Sequence, residues 1–179
     1  DGWLHLSDID ATTPDPTLYP EYDNELRQAM LAETRLYLRE ILAKNLPARN
    51  FIKSDFSFVN RRLARHYGMA NISGEKMRRV ALPPDIVRAG LMTQASILKI
   101  TANGTLTSPV KRGHWVLNSL LGTPPQPPPP TISALEPDIR GAVTIRETLV
   151  KHRDVASCAS CHQHIDPPGF ALESFDPIG

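Results

Sequence analysis

Cys158, Cys161 and His162 stand together as Cys-Ala-Ser-Cys-His, and the chain has no other cysteine. Two thiols one helical turn apart can each add to a vinyl group on the same edge of a porphyrin. The adjacent imidazole then swings under the iron as proximal ligand. This is the arrangement that covalent attachment of haem c requires. Three rival readings fit less well. Structural zinc usually separates its ligand pairs by a loop, and Cys158, Cys161, His162 and His164 are too crowded to surround one ion tetrahedrally. A thioredoxin-like dithiol needs a βαβ setting, which the polar helices and prolines around this segment do not supply. A disulfide closing so small a ring leaves His162 unexplained.

The sixth coordination position would decide function, and several donors compete for it: His5, His66, His114, His152, His164, Met30, Met69, Met77 and Met92. His164 is too close to the proximal ligand to pass easily to the opposite face. Met30 lies on a helical apolar stripe, where core packing is the simpler role. His152 precedes Cys158 by a stretch that, at ~3.3 Å per extended residue, could wrap a porphyrin edge. Its competing role is to meet carbonyls and dipole at a helix C-terminus. His152 is taken as the candidate, with Met92, His66 and His114 behind it.

These residues need a scaffold, and helical periodicity supplies most of it. Leu26, Met30, Leu38, Ile41 and Leu42 recur at helical spacing between Tyr22 and Asn45, with Asp23 as cap and Pro47 beyond the end. A second helix is expected from about Phe58 to Tyr67, closed by Gly68. Asn71 to Gly74 reads as a turn, and Arg79-Val80-Ala81-Leu82 as a short extended piece before Pro83-Pro84. Asp85 is placed to cap a helix through Val87, Leu91, Ala95 and Leu98, which Gly90 weakens. Ser108-Pro109 starts another helix, carrying Val110, Trp115, Val116, Leu117, Leu120 and Leu121 to a stop at Gly122.

From Pro124 to Pro130 the chain reads as polyproline II, a stiff strut advancing ~3.1 Å per residue. Its use as a ligand for a proline-binding module is the lesser reading. Thr144 to His152 forms the last expected helix, leading into the Cys-Ala-Ser-Cys-His segment. The expected fold is mostly α: helices around a covalently attached haem c, long proline-rich connections and little or no sheet.

Composition narrows the class. At 179 residues the chain can bury a core in one domain or two small ones. A net charge of +1, without a basic stripe or acidic tail, gives no reason to expect nucleic acid or an anionic membrane as partner. No apolar run approaches the ~20 residues that span a bilayer. Seventeen prolines, well above the ~5% usual in proteins, point to stiff connections. Because thioether formation takes place outside the cytoplasm, a haem c protein is expected to be periplasmic or exported, its signal absent from this chain.

Downstream of the cysteines runs Ile165-Asp166-Pro167-Pro168-Gly169-Phe170-Ala171-Leu172-Glu173-Ser174-Phe175-Asp176-Pro177-Ile178-Gly179. Together with His152-Arg153 ahead of them, it resembles the planctomycete-type cytochrome c domain, known by its HR, CxxCH and DPxGFxLExFD strings. Gly90 to Leu98 and Thr107 to Gly113 are similar to that domain's opening half. Asp55 to Asn60 and His66-Tyr67-Gly68 resemble the helical companion domain that precedes it. The resemblance spans nearly the whole chain and implies a companion domain over 1–82 and a haem domain over 83–179, packed as one unit of a longer protein. Isoleucine stands at 165, where similar sequences often have methionine, which removes one sulfur donor.

The matching residues acquire roles from this resemblance. Lys111, Arg112 and Arg153 are candidate partners for haem propionates, or else solvated surface charges. Phe170, Leu172 and Phe175 would cover the macrocycle, or else form plain core. Asp166-Pro167-Pro168, with its fixed turn, would present a backbone carbonyl to the second nitrogen of His162. The expected function is electron transfer through one haem, to a redox partner protein or to further domains of the same polypeptide. The alternatives are a peroxidase-like enzyme with an open distal position and a redox-acceptor domain of a larger oxidoreductase.

Overall fold

The structure is a computed structural model that describes residues 1–83, 86–88, 90–126, 147 and 156–179, with backbone alone at 156–158. Of the expected helix over Thr144–His152 only Glu147 is described, and it is helical; the later part of the proline run and the cap at Asp85 lie outside the described residues. So do His152, Arg153 and the side chain of Cys158. The chain divides into two compact units, Asp1–Ser108 with Leu172–Gly179, and Pro109–Ala171. The boundary drawn at 82/83 from the resemblance falls inside the first.

In the first unit, helix α1 spans Asn24–Ala43, and the Asp23 carboxylate caps it by accepting from Leu26 N at 2.7 Å. Its apolar stripe buries Leu26 and Met30 completely, so Met30 has the core role that its spacing suggested. Strand β1 (Phe56–Val59) comes next and pairs antiparallel with β2 (Arg78–Ala81), Phe56 opposite Ala81. The helix expected from Phe58 therefore starts later. Phe56-Ser57-Phe58-Val59 is rich in strand formers, and Asn60, accepting from Leu63 N at 3.0 Å, restarts the chain as helix α2 (Arg61–His66). Gly68, at φ 68°, comes after α2 as expected.

The helix expected from Asp85 is also shorter. Gly90 sits at φ 79°, and its absent Cβ would lie 2.6 Å from the Asn50 carbonyl oxygen. A single 3-10 turn over Leu91–Thr93 precedes helix α3, Ala95–Ile100. Leu26, Ala29 and Met30 of α1 pack with Val59, Leu63, Ala64, Tyr67, Ala95 and Ile178, the last from the far end of the chain. On burial alone, each of the larger aliphatic side chains contributes roughly 1.5–3 kcal/mol.

Two charges are built into this unit. Lys99 is fully buried and donates from Nζ to the carbonyls of Ile9 (3.0 Å) and Thr12 (2.7 Å), tying the N-terminal segment to α3. Glu33, also buried, accepts from Ser57 Oγ at 2.5 Å and from the Tyr67 hydroxyl at 2.6 Å. The Tyr67 oxygen in turn accepts from Ala95 N at 2.9 Å. Burial pushes the Glu33 carboxyl up to about 7, while the Ser57 and Tyr67 hydrogen bonds and the charge of Arg88 pull the other way.

Among the described residues of the second unit, two helices pack together. Helix α4 (Pro109–Trp115) widens into a π-helical turn over Val116–Leu120, closed by Leu121 N donating to Val116 O at 3.1 Å. Helix α5 spans Ala156–Phe170 and continues through Pro167 and Pro168. The two run antiparallel with their backbones in contact: a Cβ on Gly113 would fall 1.7 Å from the Ile165 carbonyl oxygen, and one on Gly169 1.8 Å from that of Pro109. No side chain fits at either crossing.

Two outcomes are expected. Replacing Gly113 or Gly169 by alanine should raise helix propensity by about 1 kcal/mol yet lower net stability by about 1–3 kcal/mol. Urea unfolding monitored through the buried Trp115 checks this, and an unchanged or higher midpoint would contradict the close approach. For Glu33 the folded pKa of about 7 exceeds the ordinary 4.5. Its contribution is thus full below pH 4.5 and lost as pH rises to 7, roughly 3 kcal/mol across that window. Burial lowers the His66 pKa, so His66 contributes in the opposite sense. The difference between wild type and Glu33→Gln isolates the carboxyl, and should vary with pH between 4.5 and 7 in chemical-denaturation curves.

Candidate functional site

Cys158 and Cys161 both lie in helix α5, three residues apart. Cys161 is a half-buried free thiol. The neighbouring His162 side chain is 15% exposed, and its Nδ1 lies 2.9 Å from Oδ1 of the fully buried Asp166. A backbone carbonyl from a turn at Asp166-Pro167-Pro168 was the expected acceptor. Instead the chain stays helical there, and the i, i+4 spacing brings the Asp166 carboxylate itself under the ring. With Nδ1 held, Nε2 is the ring nitrogen left for a metal. His164 is exposed, its Nδ1 3.3 Å from Ser160 O.

Helix α4 carries three of the sequence candidates. Lys111 and His114 are exposed, whereas Arg112 is fully buried. The solvated surface role is thereby excluded for Arg112. Its neighbour Gly113 is the residue that lets α4 meet α5 at Ile165, which is itself buried. Phe170, half-buried, ends α5 in the same unit.

Leu172 and Phe175 belong to the first unit. Leu172 is buried there, and the Phe175 ring centroid lies 5.3 Å from the Arg88 guanidinium, which also stands 4.0 Å from the Tyr67 ring. His66 is in that unit as well, with Nε2 3.0 Å from the Ile178 carbonyl. Ligation through Nε2 would have to break this contact. Burial holds the His66 ring below its ordinary pKa, with the Ile178 hydrogen bond acting against it. Met92 is half-buried in the turn before α3. Among the described residues no three His, Cys, Asp or Glu side chains converge as metal ligands would, and no helix is long and apolar enough to cross a membrane.

Asp166 is the residue whose role the sequence reading missed. The available signal was the His-x-x-x-Asp spacing, which on a helix stacks the two side chains. It was obscured by Pro167 and Pro168, because proline so often marks a helix end.

No curated protein and no solved structure matches the chain. Residues 1–69 match PSD4, described as a protein of unknown function (DUF1592), and residues 88–179 match PSCyt3, described as a protein of unknown function (DUF1588). Both are planctomycete cytochrome c-associated domains, and neither description defines an activity. Since the second match takes in more than half of the 179 residues, among them Cys158, Cys161, His162 and Asp166, the chain belongs to the PSCyt3 (DUF1588) family.

Proposed function

We propose that this chain carries one haem c, attached through Cys158 and Cys161 and ligated by His162, and that it serves as an electron-transfer module. The observation that carries this reading is the Cys-Ala-Ser-Cys-His segment lying on one helix, with the His162 Nδ1 already engaged by a buried carboxylate. Bound haem supplies a one-electron ferric/ferrous couple. Each thiol adds its S–H across a vinyl group, so a carbon–sulfur bond forms, the hydrogen passes to the other vinyl carbon, and no electrons are gained or lost overall. His162 offers Nε2, and Asp166 keeps the ring from turning. The backbone contacts at Gly113 and Gly169 hold α5 against α4, while Ile165, Trp115 and Val116 keep water from that junction. Lys111 and Arg112 remain candidates for propionate contacts.

The reading carries an exported or periplasmic location with it, because thioether formation is an extracytoplasmic reaction. It also implies a redox partner, either a separate protein or another domain of the same polypeptide. A haem enzyme with an open distal position is the second reading. One observation favours it: a carboxylate behind the proximal imidazole would add electron density at Nε2, which supports oxidised iron.

Expression with an export signal and a cytochrome c maturation system tests the proposal. The pyridine haemochrome spectrum should show two saturated vinyl groups, and Cys161→Ala should leave at most one thioether. A colourless wild-type product from a host that matures a control cytochrome would overturn the haem reading. Ferrous bands indifferent to carbon monoxide are expected for electron transfer, and a high-spin ferric form that takes up carbon monoxide on reduction points to the enzyme.

A further inference from the structure

From the geometry behind His162 we infer that Asp166 is a positioning residue that biases the iron toward the ferric state. The inference rests on the haem reading above and goes beyond it, since it concerns the direction in which the couple is set. Asp166 Oδ1 lies 2.9 Å from His162 Nδ1, a short contact between a ring N–H and a carboxylate. An acceptor carrying negative charge draws on the Nδ1 proton and raises electron density at Nε2. A neutral backbone carbonyl does the same far more weakly. The ligand with more electron density at Nε2, and a negative charge close behind it, stabilises the more highly charged iron.

Two features make this effect strong. Asp166 is fully buried, so water does not screen its charge. It is also locked in place. Ile165, the preceding residue, has its carbonyl against Gly113, and Gly169, three residues on, lies against the Pro109 carbonyl. The carboxylate therefore sits on a stretch of α5 pinned at both sides to α4, and the i, i+4 geometry fixes its distance to the imidazole. A carboxylate on a mobile loop would lose this advantage by swinging to solvent.

The test measures the reduction potential of matured holoprotein by spectroelectrochemistry, after a pyridine haemochrome assay has shown haem c in wild type and variants alike. Asp166→Asn, similar in shape but uncharged, is expected to move the ferric/ferrous equilibrium at least tenfold toward ferrous. For one electron this raises the potential by about 59 mV. Asp166→Ser, too short to reach the ring, should act in the same direction and serves if the Asn protein does not accumulate. Asp166→Glu, which keeps the charge, should retain more than half of the wild-type bias. Potentials within threefold of wild type in the neutral variants would overturn the inference while leaving haem attachment intact. An equal shift in the Glu variant would overturn it too, by showing that charge is not the cause. Absence of haem c from wild type is a distinct outcome, which removes the haem reading and this inference together.

Discussion

The contact on which the second unit depends is backbone against backbone. Helices usually keep 8–10 Å between axes because side chains intervene. At Gly113 and Gly169 there is nothing to intervene, and the facing atoms are the carbonyl oxygens of Ile165 and Pro109. Each glycine forgoes helix propensity, and the return is a fixed register between α4 and α5. That register sets where Cys161, His162 and Asp166 stand. Small rotations of α5 would move Cys161, His162 and Asp166 together, because all three stand on that one helix.

The charges buried in the first unit play a different part. Lys99 satisfies its donors on the carbonyls of Ile9 and Thr12, and Glu33 collects the hydroxyls of Ser57 and Tyr67. Both join segments far apart in sequence, and each is provided with partners as buried polar groups must be. Asp166 belongs with them by burial but differs in its partner, an imidazole that is itself only partly covered. That contrast is why the His162–Asp166 pair is the candidate site and the Glu33 cluster reads as architecture.

Much of this was legible in the sequence wherever a local rule dominated. Asp23 and the stripe through Leu26 and Met30 define α1 because capping and periodicity agree there. Arg79–Leu82 reads as extended, one residue off the strand Arg78–Ala81, and Gly68 as a stop, for similar reasons. Failure came where a tertiary partner decides. Phe58 and Val59 read as the start of the helix through Tyr67 until the pairing of Phe56–Val59 with Arg78–Ala81 is known. The prolines at 167 and 168 look like a turn until α4 is laid against α5. Cys158, Cys161 and His162 were legible as a motif because they stand at a short fixed spacing in the sequence. Asp166 was not, because its role depends on whether the backbone between it and His162 is coiled or bent. Leu172 and Phe175 belong to the same string as Asp166 and yet fall in the other compact unit, something no linear motif records.

The chain's last residues return to the first unit: Ile178 is enclosed by its core, and both the Ile178 and Gly179 carbonyls accept from side chains there, those of His66 and Arg88. Pro109–Ala171 is thus flanked in sequence on both sides by segments of the first unit. The stretch matching PSCyt3 cannot be excised along its own borders without stripping Ile178 of its pocket, nor can the stretch matching PSD4 be kept without losing a plug from its interior. Such reciprocal ownership ties the inheritance of the two segments together: recombination that separated them would leave each with a hole or an orphaned apolar tail.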